Sequence, residues 1–259
     1  MVEMARKVGI NSSALKEFGG FLSIDDVNPD FIEISLAETK MDEWEKLFEK
    51  VDMPVTVHAP YQNSPVRETR IDLVSLARMD VVERVMELSA EAGAEVVVFH
   101  CGDVNCRYEK ALENFRKNAE LLGRLSEYYG VCAVLENLYW QGVSRMGETP
   151  EELMVAVDAG LDVNIDIGHA YIASLLRKRN LIGEFFDSLN GSIVHMHAHN
   201  NFGIWGNPYD SHNPLFRGLI DYGKLRKKIR RSKIRRIVLE VKNGTLEEIR
   251  QSMEFLRSL

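Results

Sequence analysis

The sequence predicts an α/β protein with the (β/α)8 TIM-barrel fold, formed by a single domain over residues 1–259. Eight short apolar runs rich in β-branched residues are typical of strands; they lie at residues 7–11, 31–35, 54–58, 95–100, 131–136, 161–166, 192–197 and 236–241. Amphipathic stretches typical of helices lie between or after these runs, at residues 72–92, 109–129, 151–159, 222–231 and 246–256. Alternating strands and helices imply parallel strands with right-handed crossovers, and eight such units in about 250 residues match the size of this barrel.

Each of the eight runs is apolar in its middle, and most of them end in a polar residue. The first two are KVGIN and FIEIS, and the next two, PVTVH and EVVVFH, end in histidine. VCAVLE and LDVNID end in an acid, SIVHMH ends in histidine, and RIVLEV carries a glutamate one residue before its end. Two helix starts are marked by Thr149 and Thr245, because each threonine precedes a pair of first-turn glutamates. The competing architecture is a doubly wound open sheet, but no glycine-rich phosphate loop follows the first run.

Composition narrows the class of protein. Of the 259 residues, 45% are hydrophobic and 27% are charged, which is ordinary for a soluble globular chain. No apolar run approaches the ~20 residues of a membrane helix, and the start of the chain lacks a secretory pattern, so no membrane contact is expected. Three cysteines, an odd number, argue against a disulfide framework and predict a reduced, cytoplasmic location.

The charge is unevenly distributed. The net charge is −7, yet nine of the thirteen residues from Lys224 to Arg236 are basic. The rest of the chain then holds 23 basic against 39 acidic residues, which excludes a uniform nucleic-acid-binding surface. A solvated helix face is the favoured interpretation of the basic run, and local contact with nucleic acid is the alternative.

Metal-capable side chains end the apolar part of six consecutive strands, the third to the eighth. They are His58, His100, Glu136, Asp166, His197 and Glu240, and His169, Asp210 and His212 follow in the loops. The carboxyl ends of barrel strands share one rim, so these residues are expected to converge there. Clustered carboxylates repel one another without a cation, and imidazole with carboxylate suits zinc, manganese or iron better than calcium. The pattern therefore predicts a divalent metal site, although each residue alone is more often structural.

The seventh strand run carries three alternate histidines. Since strand residues alternate between faces, His195, His197 and His199 are expected to point the same way, but over ~13 Å they cannot share one metal. His197 lies level with the other strand ends. We expect His195 to be a deeper, hydrogen-bonded core residue and His199 to stand above the rim, near substrate or solvent.

Further residues are expected to bind the substrate. Glu33 lies between Ile32 and Ile34, so it should point into the barrel, where a buried carboxylate needs a partner. Glu33 is therefore expected either to contact the substrate or to hold a residue of the site in position. The alternative is an ion pair with a residue of a neighbouring strand. Aromatic residues follow strand ends at Tyr61, Tyr139, Trp140, Phe202, Trp205 and Tyr209. We expect Tyr61 and Trp140 to contact a sugar or base, with a lid or subunit interface as the alternative.

The motifs together resemble the endonuclease IV and xylose isomerase-like TIM-barrel superfamily (AP endonuclease family 2). The matching segments are HAPY at 58–61, VVVFHCG at 96–102, VLEN at 134–137, DIGHAY at 166–171, HMHAHN at 195–200, DSH at 210–212 and VLEV at 238–241. Each is weak alone, but their order agrees with the family along nearly the whole chain. Two kinds of site occur within this superfamily.

The resemblance implies two ligand sets. Isomerases and epimerases hold one divalent ion with residues that match Glu136, Asp166, His197 and Glu240. Endonuclease IV-type enzymes hold three zinc ions, and all nine matching positions are filled here. In that set His58, His100 and Glu136 hold the first ion; Glu136, Asp166, His197 and Glu240 the second; and His169, Asp210 and His212 the third. The chain departs from endonuclease IV after the first and second strands and after Asp210–His212, which argues against DNA as substrate.

Three hypotheses follow. The first is metal-dependent phosphodiester hydrolysis, resembling endonuclease IV, with up to three Zn2+ ions and with abasic-site DNA as one implied substrate. The second is a sugar or sugar-phosphate isomerase or epimerase using one divalent ion such as Mn2+, in which Glu136 and Glu240 exchange protons on opposite faces of the substrate. The third is a non-enzymatic, metal-stabilised binding module. The oligomeric state stays open.

Overall fold

The computed structural model of this protein describes residues 6–75 and 78–259. Eight parallel strands, β1 to β8, follow one another in chain order and close into a barrel, which confirms the predicted fold class. They are β1 (Lys7–Asn11), β2 (Ile32–Ser35), β3 (Val55–His58), β4 (Val96–His100), β5 (Cys132–Glu136), β6 (Asp162–Asp166), β7 (Ile193–Ala198) and β8 (Arg236–Leu239). Every predicted strand run is therefore observed, within two residues at each end.

The helices of the described chain lie between and after the strands. They are α1 (Ile24–Val27), α2 (Glu45–Phe48), α3 (Met79–Glu91), α4 (Tyr108–Tyr129), α5 (Pro150–Asp158), α6 (Ile167–Arg177), α7 (Leu181–Leu189), α8 (Tyr222–Arg231) and α9 (Leu246–Arg257). The predicted stretch 72–92 begins too early, because residues 72–75 are irregular, and it includes residues 76 and 77, which lie outside the described chain. Within residues 6–75 and 78–259, no helix is both long and apolar enough to cross a membrane.

Four helices were absent from the sequence prediction. Helices α1 and α2 have only four residues each, about one turn, which is too short to show a helical period. The other two, α6 and α7, are longer. Helix α6 begins directly after Asp166, so its apolar residues continue the strand run without an intervening polar loop. Helix α7, LIGEFFDSL, buries six of its nine residues and exposes Asp187 and Ser188, so it has an apolar and a polar face, but it spans only about two and a half turns.

Two compact units make up the chain: Met1–Glu33 with Ile165–Leu259, and Ile34–Asn164. In the first unit, β8 pairs with both β1 and β7. In the second unit, β4 pairs with β3 and β5, and β5 pairs with the first residues of β6. The single domain over residues 1–259 stays a prediction.

The basic run begins on α8, where part of it contacts other residues of the first unit. Arg226 and Arg230 both donate hydrogen bonds to the carbonyl of Ser258, at 3.0 and 2.8 Å. Lys228 pairs with Asp187 at 2.5 Å. A share of the positive charge is thus used within the protein, and contact of the remainder with solvent or nucleic acid stays a prediction.

Candidate metal centre

The predicted site residues lie at the carboxyl ends of their strands. His58, His100, Glu136 and Asp166 are the last residues of β3, β4, β5 and β6, His197 is the penultimate residue of β7, and Glu240 directly follows β8. The compact units bring these and neighbouring residues together in separate groups. Their roles as ligands stay a prediction.

In the second unit, two imidazoles face one carboxylate. The Nε2 atoms of His58 and His100 lie 3.6 and 3.7 Å from the two carboxylate oxygens of Glu136. The Nδ1 atom of His58 lies 2.9 Å from the carbonyl of Ala59 and donates to it, because a carbonyl can only accept. In neutral His58 the Nε2 lone pair therefore points toward Glu136. Two imidazole nitrogens and a carboxylate in one buried group fit a divalent cation.

Two polar residues stabilise this group. The side-chain amide of Asn164, on β6, donates to Oε2 of Glu136 at 3.0 Å. The ring of Tyr61 stacks on His100, with 4.8 Å between centroids and 21° between planes. Tyr61 thus packs against a residue of the site, and contact of Tyr61 with substrate stays a prediction. Trp140, also predicted to bind substrate, is 44% exposed.

In the first unit, Glu33 pairs with two histidines of β7. Its side chain is fully buried, and its carboxylate lies 3.1 Å from Nε2 of His195 and 3.0 Å from Nε2 of His197. Asn11 donates a third hydrogen bond at 3.3 Å. Burial alone would raise the pKa of Glu33, but the charge of His197 and the hydrogen bonds from both histidines outweigh it and hold the pKa far below the usual range.

Glu33 thus pairs with histidines of β7, which is not a neighbour of β2 in the strand order, so the pairing differs from the predicted one with a neighbouring strand. Its contact with substrate stays a prediction. The pairing also determines the tautomer of His197. Since a carboxylate only accepts hydrogen bonds, Nε2 of neutral His197 carries the proton, and Nδ1 carries the lone pair. That Nδ1 atom lies 3.2 Å from Oε2 of Glu240 and 3.9 Å from Oδ2 of Asp166. Asp166, His197 and Glu240 therefore form a group that could hold a metal ion, and the carboxylate of Glu33 orients the His197 imidazole.

Three further histidines surround Asp210 in the same unit. The Nε2 atoms of His212, His169 and His199 lie 2.8, 3.2 and 3.5 Å from its carboxylate. Burial would raise the pKa of Asp210, but the charges of the three imidazoles outweigh it and hold the pKa well below the usual value. The backbone of His212 has a φ of 45°, a conformation that non-glycine residues seldom adopt, so tertiary contacts hold this ring in place.

His199 is not exposed to solvent, which was one of the two predicted alternatives, and its predicted contact with substrate stays a prediction. It was expected to stand above the rim, near substrate or solvent, yet its side chain is fully buried. Its ring stacks on His212, with 4.0 Å between centroids, and its Nε2 atom lies 3.1 Å from Oδ1 of Asp166. Burial arises because α6 begins immediately after β6, and its first turn at Gly168 covers the ring. A side chain at Gly168 would place its Cβ 1.9 Å from Cε1 of His199.

The variant Gly168→Ala tests this close approach. Alanine usually stabilises a helix relative to glycine, but here its methyl group would overlap the His199 ring, so we expect the free energy of unfolding to fall by about 1–3 kcal/mol. Chemical denaturation measures the change. Gly191→Ala, at an exposed position with no atom within 4 Å of the added Cβ, is the matched control and should have little effect. Equal stability of the two variants would contradict the packing.

Sequence reasoning missed Asn164 and Gly168. Asn164 stands two residues before Asp166 on β6, so strand alternation places both on one face, and this signal could have identified it. Nothing in the sequence marks Gly168, because its importance comes from a ring that lies 31 residues further along the chain.

Comparison with known proteins agrees with this architecture. The model of the family described as "Xylose isomerase-like TIM barrel" matches residues 13–259. An uncharacterized protein of Methanocaldococcus jannaschii is 27% identical over 220 residues, covering 83% of this chain and 80% of its own. The structure of a D-tagatose 3-epimerase-like protein is 25% identical, with a TM-score of 0.74 over 97% of this chain and 96% of its own.

A third similar structure, of a Thermus thermophilus protein soaked with ZnCl2, is 23% identical and shows the same fold, with a TM-score of 0.69 over 98% of this chain and 97% of its own. The family match confirms the resemblance inferred from the ordered motifs. It also confirms the prediction of an enzyme, either a hydrolase or an isomerase of this superfamily. The chain belongs to the xylose isomerase-like TIM barrel family, whose model matches it from residue 13 to its last residue.

Proposed function

We propose that this protein is a divalent-metal-dependent isomerase or epimerase acting on a sugar or sugar phosphate. The proposal rests on the group of Asp166, His197 and Glu240. The side chains of Asp166 and His197 are fully buried, whereas that of Glu240 is 16% exposed. The similarity to a D-tagatose 3-epimerase-like protein at 25% identity favours this activity over hydrolysis.

A bound divalent ion, with Zn2+ or Mn2+ suited to these ligands, would polarise adjacent oxygens of the substrate. Asp166 and the Nδ1 atom of His197 would hold the ion, while Glu33 keeps the His197 ring in the required tautomer. Glu240 is placed to receive a proton from the carbon next to the substrate carbonyl, because its carboxylate is the part of the group that a substrate can reach. The electron pair of the broken C–H bond moves to the carbonyl oxygen, giving an enediolate.

Return of a proton completes the reaction without net oxidation. If the proton returns to the opposite face of the same carbon, the configuration of that carbon is inverted, which is epimerisation. If it returns to the neighbouring carbon, the carbonyl group moves by one position, which is isomerisation. Glu136 is our proposed second acid–base group, following the family pattern on which the sequence prediction rests. Tyr61 and Trp140 are proposed to bind the substrate.

Phosphodiester hydrolysis is the second candidate, favoured by one observation. The described residues contain more than one group with metal-ligand chemistry, including His58, His100 and Glu136 in the second unit. Such enzymes use several ions to activate water and stabilise the leaving oxygen. The number of ions each chain binds and the reaction on model substrates separate the two candidates.

Solvent deuterium exchange tests the proposal. We expect the metal-loaded protein in D2O to incorporate deuterium at the carbon next to the carbonyl of a ketose or ketose phosphate, observed by NMR over a panel of such sugars. Exchange should stop on treatment with a chelator and return when Zn2+ or Mn2+ is added. Cleavage of an abasic-site duplex or of a simple phosphodiester, with no exchange into any sugar of the panel, would instead establish the hydrolase.

A further inference from the structure

We propose that the outer face of α8, together with the exposed ring of Phe216, binds single-stranded nucleic acid. The cations of α8 contact the phosphate groups, and the aromatic ring stacks on an unpaired base. This surface is formed by α8, α9 and the segment between β7 and α8, not by the residues that end the strands. The inference goes beyond the proposed isomerase activity and does not depend on it.

The first step concerns the charge of α8. Five cationic side chains and one glycine line a shallow depression of about 450 Å³ on this helix; they are Gly223, Lys224, Arg226, Lys227, Arg230 and Arg231. No acidic residue lines the depression, and none occurs in the sequence between Asp221 and Glu240. Like charges this close repel one another, and the phosphate groups of a polyanion relieve that repulsion.

The second step concerns which of these cations a ligand can reach. Arg226 and Arg230 are held in place by hydrogen bonds to the carbonyl of Ser258, at 3.0 and 2.8 Å, which do not neutralise their charge. Lys227 and Arg231 are exposed, and in the part of the chain that the structure describes their side chains form no hydrogen bond or ion pair. The helix thus combines two positioned guanidinium groups with two cations that are available to a partner.

The third step concerns the spacing of the cations. Lys224, Lys227 and Arg231 recur at intervals of three and four residues, so they form one row along the helix. With a rise of ~1.5 Å per residue, neighbours in this row lie about 4.5–6 Å apart along the axis. The row therefore presents positive charge along a line, as a site that follows a phosphate backbone requires.

The fourth step concerns the aromatic residues beside this row. The guanidinium of Arg226 lies over the ring of Phe255, 4.9 Å from its centroid. Phe216 contacts the same ring edge-on, with 5.6 Å between centroids and 87° between planes, and Phe216 is 61% exposed. Aromatic rings next to cations bind unpaired bases by stacking, whereas the bases of a duplex are stacked on each other. The exposed ring therefore favours a single strand.

The fifth step concerns the alternative partner, an anionic membrane. A helix that lies on a membrane inserts an apolar face among the lipids. Tyr222 and Ile229, on the apolar face of α8, are instead buried in the protein. Outside residues 224–236 the chain holds 23 basic against 39 acidic residues, so the rest of the protein repels polyanions and confines their contact to this face.

Salt-dependent binding of a short, fluorescently labelled single-stranded DNA, followed by anisotropy, tests the cations. The logarithm of the association constant should fall linearly with the logarithm of the salt concentration, by ~0.7 per phosphate contacted. The double variant Lys227→Ala, Arg231→Ala removes two such contacts, so it should reduce the slope by about 1.4 and weaken binding about 10-fold or more at low salt. Lys46→Ala with Arg124→Ala removes the same charge from exposed positions of α2 and α4 and is the matched control, with no change expected.

The variant Phe216→Ala tests the aromatic ring. It should weaken binding of the single strand about 5–100-fold, because a stacked base is lost, and leave the salt slope unchanged, because no charge is removed. Binding of a duplex of the same length should be insensitive to Phe216→Ala. Tyr128→Ala, at a residue of α4 that is 79% exposed, is the matched control and should bind the single strand as wild type does.

Three results would overturn the proposal. The first is no binding at low salt, or wild-type affinity and slope in the Lys227, Arg231 double variant. The second is unchanged single-strand affinity in Phe216→Ala. The third is retention on vesicles containing phosphatidylserine without binding of the oligonucleotide, which would assign the face to a membrane. All these variants should keep the wild-type rate of deuterium exchange, so failure of this surface and failure of the proposed function remain distinguishable.

Discussion

Replacing Glu240 with glutamine is expected to lower the rate of solvent deuterium exchange into the sugar substrate by ~10²–10⁴-fold, the usual contribution of a positioned acid–base group. Glutamine keeps the shape of the side chain and can still offer an oxygen to a cation, but it cannot accept the substrate proton. The exposed edge of the Glu240 carboxylate, next to the buried His197 and Asp166, is the physical basis for this role.

The rate must be normalised to metal content, because Glu240 is also a proposed ligand. Elemental analysis of each preparation separates loss of the ion from loss of the base. Glu254→Gln, an exposed glutamate of α9, is the matched control and should leave the exchange rate unchanged. A fully metallated Glu240→Gln protein that exchanges at the wild-type rate would exclude Glu240 as the base.

Removing the charge of Glu33 should have the largest effect on stability. Glu33→Gln leaves two buried imidazoles with one neutral acceptor in place of a carboxylate, and breaking a buried pair in this way costs about 3–5 kcal/mol of unfolding free energy. It should also weaken metal binding at Asp166, His197 and Glu240 by ~10–100-fold, because the carboxylate determines the tautomer of His197.

Denaturant unfolding of the metal-free proteins isolates the stability change, and competition with a chromogenic chelator measures the affinity. Glu38→Gln is the matched control, since Glu38 is exposed three residues beyond the end of β2 and should affect neither quantity. Unchanged stability together with unchanged affinity would show that the pairing of Glu33 with β7 contributes nothing to the site.

The strands and the residues that end them were predictable from sequence for a simple reason. A buried parallel strand needs a short apolar run, and the fold requires eight of them separated by helices, so both signals are local. His58, His100, Glu136 and Asp166 each end such a run, and the barrel topology is sufficient to place them at strand termini. Helix α7 was missed although it has an apolar and a polar face, because nine residues give only about two and a half turns in which the helical period can show.

By itself, the sequence of this protein determined the (β/α)8 fold, the order of its eight strands and the metal-capable residues at their ends. Only the tertiary structure decided how those residues are paired: that Glu33 keeps the His197 proton on Nε2, that Asn164 holds Glu136, and that His199 lies buried against Gly168. Strand periodicity tells which face a side chain occupies. Tautomers and ligand sets depend instead on distances of about 3 Å between groups far apart along the chain, which no local pattern records.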